Sequence, residues 1–375
     1  MITRKLLYSI NDAMFSGKVI IITGPRQVGK TTLAHAVADG SGVDYKWFNA
    51  DEPDVRSWLT NPTSTRLRQL FGSSRLVIID EAQRITNIGI TLKLAAENIP
   101  EAQVIATGSS SLELAGGMNE PLTGRKKEFT LFPLSFGELC ADRSLIEERR
   151  LLEQRMVFGY YPEVVNNPGR ETEILNSLTE SYLYKDILSL EQVRKPLLVE
   201  KIVQALAFQT GSEVSFNEVG RTVGADNQTV ERYVDLLEKV FVVFSVRSFS
   251  RNLRNELKKS RKIYFYDNGI RNSIIRNFNP LMLRNDSGAL WENFLVTERM
   301  KHLHYRGINY GKYFWRTSSQ QEIDYIEEKD GSISGFEFSW TERKKKKIPA
   351  TFLNAYPEIK TEIITRENYT DFLIE

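Results

Sequence analysis

Gly24-Pro25-Arg26-Gln27-Val28-Gly29-Lys30-Thr31 is a complete G-x-x-x-x-G-K-[ST] phosphate loop. It follows the apolar run Val19-Ile20-Ile21-Ile22 and leads into a helix-compatible stretch from Thr31 through Val37. Strand, loop and helix in that order are what phosphate binding needs. The glycines let successive backbone N–H groups turn inward around phosphate oxygens, and the helix start adds a positive dipole end. Lys30 then reaches the β- and γ-phosphates, and the Thr31 hydroxyl is placed to hold Mg²⁺. The nucleotide-binding residues expected here are Gly24, Pro25, Arg26, Gln27, Val28, Gly29, Lys30, Thr31 and Thr32.

About fifty residues downstream, Arg75-Leu76-Val77-Ile78-Ile79-Asp80-Glu81 reads as an apolar strand ending in two acids. Wholly apolar strands are buried on both faces, as in a parallel sheet. An acid at the carboxyl end of such a strand lies beside the phosphate loop. Asp80 fits the metal ligand, and Glu81 the base that polarises a water for attack on the γ-phosphate.

The first third alternates strand and helix, with strands expected at 18–23, 45–48, 76–80, 104–107 and 128–131. This predicts an α/β fold with a five-stranded, mainly parallel sheet covered by helices. If the fourth strand lies between the first and third, the hydroxyls of Thr107-Gly108-Ser109-Ser110-Ser111 come near the γ-phosphate. The other reading of that segment is an ordinary turn and helix cap. After Pro133 the pattern turns helical and charged, with helices expected at 135–139, 144–158 and 171–190.

A further unit begins near Lys195. Ser215-Phe216-Asn217-Glu218 is a capping-box pattern, Gly224 marks a turn, and Asp226 can cap the next helix. In that helix Val230, Tyr233, Val234 and Leu237 share one face, and the strand-favouring run Val240–Phe244 follows. Helix, turn, helix, strand is the order of a winged helix. Its exposed positions Asn227, Gln228, Glu231, Arg232 and Asp235 suit a polyanion poorly. Arg247, Arg251, Arg254, Lys258, Lys259, Arg261 and Lys262 form a basic stretch that offers phosphate contacts or a solvated face.

The last hundred residues read as α+β: a helix at 291–302, then strands at 313–316, 322–327 and 333–338, with Asp330-Gly331 as a hairpin turn. Asp324 and Glu337 can converge across that hairpin, with Glu292 nearby. Such carboxylates either hold Mg²⁺ for phosphodiester cleavage or simply face water. The expected divisions are 1–140, 141–194 (a helical lid or connector), 195–250 and 251–375.

The 375 residues carry 41% hydrophobic and 26% charged side chains, as in soluble globular proteins, and have a formal net charge of +2. So small a charge gives no global field for nucleic acid, although local basic clusters remain. No apolar run reaches the roughly twenty residues of a membrane helix, and no secretory signal pattern stands at the start. Cys140 is the single cysteine, so an internal disulfide and a cysteine zinc cluster are excluded. Cytoplasmic residence is the expectation.

These segments resemble the AAA+ class of P-loop ATPases. More closely, they resemble a prokaryotic family joining such a core to a C-terminal domain of unknown function. The resemblance is carried by the phosphate loop through Thr32, Ile78-Ile79-Asp80-Glu81-Ala82-Gln83, Ala106-Thr107-Gly108-Ser109-Ser110-Ser111 and Leu122-Thr123-Gly124-Arg125. It continues in Pro133-Leu134-Ser135-Phe136, Tyr184-Lys185-Asp186, Asp267-Asn268-Gly269 and Trp291-Glu292-Asn293-Phe294. It implies ATP and Mg²⁺ as ligands, with Thr31 and Asp80 on the metal and Glu81 as base. Ser109 or Thr107 would be the polar sensor, and Arg125 the arginine completing a neighbour's site or its own.

The C-terminal part resembles a PD-(D/E)xK nuclease fold. Asp324 and Glu337 match its acids, but Ser339 stands where the lysine is expected. That lysine normally helps position the attacking water, so the resemblance implies a degraded nuclease fold serving recognition or assembly. The function implied is an Mg²⁺-dependent ATPase acting on a macromolecule, either double-stranded DNA or a protein bound to it, and open to homo-oligomer formation. The alternatives are a nucleotide-dependent switch with little turnover, an ATP-licensed nuclease and a small-molecule kinase.

Overall fold

β1 (Val19–Thr23), β3 (Leu76–Asp80) and β4 (Gln103–Thr107) are buried along their whole length, as apolar, β-branched runs require. With β2 (Tyr45–Asn49) and β5 (Lys126–Thr130) they form one sheet in the order β2-β3-β4-β1-β5. Every neighbouring pair is parallel, so the sheet is parallel throughout rather than mainly so. β4 lies between β1 and β3. The carboxyl ends of those three strands therefore share one rim, which collects the phosphate loop, the two acids and the Thr107 hydroxyl.

The computed structural model describes residues 2–109, 122–181, 193, 195–249, 261–341 and 346–374. These fall into two units, Met1–Leu134 with Lys239–Phe241, and Ser135–Glu238 with Val242–Glu375. Ser110, Ser111, the Tyr184-Lys185-Asp186 motif, Arg251, Arg254, Lys258 and Lys259 lie outside the described residues. Among the described residues no helix is long and apolar enough to cross a membrane.

The helices expected to serve as a lid or connector are built into the second unit. Helix Phe136–Asp142 opens with a full capping box on Ser135 and Glu138, and its Phe136 N–H donates to Glu298 Oε2 at 2.6 Å. Helix Leu152–Phe158 is held at its end by two asparagines. Asn268 Nδ2 donates to Met156 O at 3.1 Å, and Asn272 Nδ2 to Val157 O at 2.8 Å. Helix Glu171–Leu178 receives Ser273 Oγ on Leu175 O at 3.2 Å. Buried backbone carbonyls need such partners once helices end inside a core.

Helices Phe216–Val223 and Asn227–Lys239 follow the expected caps. Ser215 accepts from Glu218 N–H, Gly224 ends the first helix in a left-handed conformation, and Asp226 accepts from Thr229 N–H at 2.8 Å. The strand expected at Val240 starts later, as β7 (Val243–Ser248). Val242 N–H closes onto Leu237 O at 3.0 Å and Phe241 takes φ 57°, so the first apolar residues of the run are used in a buried turn.

β7 pairs antiparallel with β8 (Arg261–Phe265), which also takes the two-residue strand β6 (Glu213–Val214). β7 pairs in parallel with β9 (Gly311–Arg316) on its other side. The sheet continues through β10 (Glu322–Lys329), β11 (Ser332–Phe338) and β12 (Lys360–Ile364), seven strands in the order β12-β11-β10-β9-β7-β8-β6. The position 250/251 expected as a domain boundary thus lies between two paired strands of one sheet. The buried helix Ser287–Tyr305 packs on β8 through Asn293, whose amide bonds both the N–H and the C=O of Phe265. Asp330 and Gly331 form the β10–β11 turn with positive φ at both positions.

Gly159 (φ 72°) lies where a Cβ would overlap the buried carboxylate of Asp267, which accepts from Tyr160 N–H at 2.7 Å. Gly159→Ala is expected to destabilise the second unit by about 2–4 kcal/mol in urea unfolding, through strain and displacement of that carboxylate. Gly40→Ala, at a helix position with open space around it, is the matched control and is expected to change stability by less than about 1 kcal/mol.

Candidate functional site

The phosphate loop leaves β1 at Gly24 (φ 143°), where a Cβ would overlap the carbonyl oxygen of Leu131. Glycine is required there because the chain after β5 passes too close for any side chain. Gln27 (φ 57°) and Gly29 (φ 94°) turn the loop, and helix Lys30–Gly40 begins at the next residue. Thr31 and Thr32 are exposed at that helix start, while Lys30 is buried.

Lys30 Nζ donates to Gly24 O at 3.0 Å and Pro25 O at 2.7 Å, so its ammonium is folded into the loop. Burial lowers its pKa to about 8, opposed by the attraction of Glu81 and Asp80 and reinforced by Arg26. A triphosphate offered in place of the two carbonyls would favour the charged amine. Thr31 Oγ1 donates to Asp80 Oδ2 at 3.0 Å and Oδ1 at 3.3 Å. This hydroxyl and this carboxylate, hard oxygen donors in contact, fit Mg²⁺.

Thr107, at the end of β4, donates to Asp80 Oδ1 and accepts from the Glu81 N–H at 3.3 Å. Of the hydroxyls expected near this rim, Thr107 and Ser109 are described: Thr107 holds the acids, and Ser109 lies buried just beyond it. Glu81 takes a left-handed conformation (φ 54°, ψ 36°) and accepts from Gln83 Nε2 through Oε2. A non-glycine residue in that region costs of order 1 kcal/mol or more, and such strain clusters at functional sites.

Arg125 is not brought to this rim. It precedes β5, which runs parallel to β1 with Lys126 opposite Val19 and Thr130 opposite Thr23. Five residues of strand, on the order of 16 Å, separate it from the carboxyl end. Its guanidinium pairs instead with Glu97 Oε1 at 2.7 Å. The expectation that it completes its own site is therefore corrected by the strand direction. Arg4, which the sequence reading missed, is part of the loop's support. Buried, it donates to Val28 O at 2.7 Å and Phe132 O at 2.6 Å, tying the phosphate loop to the chain after β5.

In the second unit Glu292, Asp324 and Glu337 do converge, together with Glu322, Tyr264 and two lysines. Oxygens of Glu292, Glu322 and Asp324 lie within 4.8 Å of one another. Fully buried Lys262 of β8 donates to Glu292 Oε1 at 2.8 Å, pairs with Glu322, and stands 3.8 Å from Asp324 Oδ1. Tyr264 Oη donates to the same Glu292 oxygen at 2.7 Å. Lys346 Nζ reaches Asp324 Oδ2 at 2.7 Å and Glu337 Oε2 at 2.9 Å.

Burial raises the Glu292 carboxyl to about 7, against the pull of Lys262. Burial, with Asp324 next, raises Glu337 to about 8. Burial alone would lower Lys262, but Glu292, Asp324 and Glu322 outweigh it and hold the ammonium above the usual lysine range. Lys262 is thus withdrawn from the basic stretch read as phosphate contacts. Arg261 is drawn to Glu231 at 3.4 Å and lies over the Phe216 ring, while Arg247 stays exposed. Ser339 Oγ donates to Thr341 O at 3.1 Å, away from these carboxylates.

Residues 16–140 match the family model described as an AAA domain. Residues 149–281 and 287–374 match two domains of unknown function, DUF8612 and DUF4143. With the strand order and the phosphate loop, the first match makes this part of the chain a nucleotide-binding P-loop domain of ATPase type. An uncharacterized protein of Mycobacterium tuberculosis is 27% identical over 339 residues, covering 88% of this chain and 72% of its own. One of Haemophilus influenzae is 27% identical over 343 residues, covering 84% and 80%. AMPPCP-bound DnaA from Aquifex aeolicus is 18% identical and covers 63% of this chain and 87% of its own. Its TM-score of 0.31 is too low to bear on function.

Removing Arg4 frees two buried carbonyls and loosens the loop. Arg4→Ala is expected to weaken ATP binding about tenfold, or about 1.4 kcal/mol, in a fluorescent-nucleotide titration. Arg4→Lys, which can satisfy one of the carbonyls, should recover part of that loss.

Proposed function

We propose that this chain is an Mg²⁺-dependent ATPase whose cycle acts on a macromolecule, double-stranded DNA or a protein bound to it. The observation that carries the reading is the convergence of Lys30, Thr31, Asp80, Thr107 and Glu81 on one rim of a parallel sheet. Phosphoryl transfer asks mainly for positioning and for charge stabilisation, and each of these groups supplies one part. Lys30 and the loop N–H groups bind the phosphates. Thr31 and Asp80 would hold the metal, which would supply positive charge to offset that of the phosphates. Thr107 fixes Asp80 and the Glu81 backbone, and the Glu81 carboxylate orients and deprotonates the attacking water.

Adenine rather than guanine follows from the absence of an Asn-Lys-x-Asp segment in the sequence and from the AAA resemblance. The DNA client rests on the winged-helix order of the elements from residue 196 to 265, with Arg232 and Arg247 exposed. Asp235, also exposed, and Glu231, drawn to Arg261, weaken that surface. A protein client is the other arm of the test. Arg125, on the rim opposite its own site, contributes to hydrolysis only if a second copy presents it, which is the case for a homo-oligomer.

The switch reading draws on one contact, the Gln83 amide on Glu81 Oε2, which ties up the base with a hydrogen bond. Turnover faster than about one per minute, still slow for an enzyme, excludes it.

Lys30→Ala is expected to abolish Mg²⁺-dependent ADP release, whereas Glu81→Gln should keep ATP affinity and lose turnover at least about a hundredfold. Normal hydrolysis by Lys30→Ala would place the active site elsewhere. Running both variants with and without duplex DNA assigns the client, since DNA-stimulated turnover favours the DNA reading and indifference to DNA favours a protein.

A further inference from the structure

We propose that the carboxylates of the second unit form a closed ion network whose resident cations are Lys262 and Lys346, in place of a divalent metal. The donor set alone looks like a metal site: Glu292, Glu322 and Asp324 present oxygens within 4.8 Å of one another, the hard ligands that Mg²⁺ or Mn²⁺ takes. What decides against a metal is the lysine already among them. Lys262 Nζ hydrogen-bonds Glu292 Oε1 at 2.8 Å, pairs with Glu322 and faces Asp324 Oδ1 at 3.8 Å. It thus meets all three carboxylates from within. Metal–oxygen bonds near 2.1 Å to the same atoms require that ammonium to leave.

Lys262 has nowhere to go. It is fully buried on β8, with its ammonium 5.5 Å from the centroid of the Phe314 ring. An unpaired lysine in that place costs far more than its present pairing, because the protein would hold an uncompensated buried charge. Further donors reach the same carboxylates, while Glu337 Oε1 stays buried without a hydrogen-bond partner. Tyr264 Oη donates to Glu292 Oε1 at 2.7 Å, and the Phe338 N–H donates to Asp324 Oδ2 at 2.9 Å. Lys346 bridges Asp324 Oδ2 and Glu337 Oε2. Arg316 Nε adds a third cation 3.7 Å from Glu322 Oε2. The lysine absent at position 339 is therefore replaced in space by two ammonium groups from other segments, one of them fully buried. Their role is to fasten helix Ser287–Tyr305, through Glu292, to strands β8, β10 and β11.

The test uses the full chain with Asp80→Asn, nucleotide-free, so that the phosphate-loop metal position is silenced. Mn²⁺ is titrated and the free ion followed by electron paramagnetic resonance. The expected result is no Mn²⁺ binding that depends on Asp324 or Glu292. Binding that disappears in Asp324→Asn or Glu292→Gln would overturn the proposal.

A second variant, Lys262→Met, removes the charge and keeps the length. Its Tm in EDTA should fall by about 10 °C, and Mn²⁺ should restore part of the loss, because the three carboxylates then need another cation. A Tm unchanged by Lys262→Met would also sink the idea. Should this variant fail to fold, Lys346→Met, at a half-exposed position, must still show no gain of Mn²⁺ affinity while Lys262 is present, and a gain would count against the network. All these readouts are independent of ATP turnover.

Discussion

A lysine ammonium taken out of water costs several kcal/mol unless carboxylates or carbonyls surround it. The chain buries such a group at each of its two centres. Lys30 is met by the carbonyls of Gly24 and Pro25, with Glu81 and Asp80 nearby, and burial outweighs those two acids and lowers its pKa. Lys262 is met by Glu292 and Glu322, with Asp324 close by, and its raised pKa shows the opposite. The first environment is poised for a polyanionic ligand. The second is already complete. The same side chain, buried in both units, meets opposite electrostatic surroundings because of what faces it.

The nucleotide site was legible because its residues are consecutive. Gly24 to Thr32 lie in one loop and the first turn of the helix after it, and Asp80 and Glu81 stand at the end of a strand whose apolar run announces burial in a parallel sheet. Strand order was the missing premise for Thr107, and the position of β4 between β1 and β3 supplied it. Arg4 was invisible in sequence, since a lone arginine near a terminus has no pattern. Its contacts at Val28 and Phe132 exist only once the chain after β5 returns past the loop. Arg125 shows the converse: Gly-Arg reads well as a motif, but the parallel run of β5 puts it at the far edge.

In the second unit the acids were readable from the hairpin, because Asp330-Gly331 fixes the register of β10 against β11. The lysines were not. Lys262 lay within a basic stretch, and nothing in the local sequence marks it as the member drawn in among carboxylates. The motifs Asp267-Asn268-Gly269 and Trp291-Glu292-Asn293-Phe294 likewise resolve into joints. Asn293 donates to Asn268 Oδ1 at 2.7 Å and clamps Phe265, while Asn268 reaches Met156 O and Leu290 O. Buried amides can satisfy several backbone groups at a helix end at once, which apolar residues of the same size cannot do.

β7 takes an antiparallel neighbour on one side and a parallel one on the other, so the strand that follows helix Asn227–Lys239 and the strands of the ion network belong to one sheet. In mechanical terms the second unit is a plate rather than a hinge. A load passed into β7 along its length is resisted by hydrogen bonds in shear on both of its edges. The ion pair of Lys262 with Glu292 is then a rivet, joining that plate at β8 to helix Ser287–Tyr305.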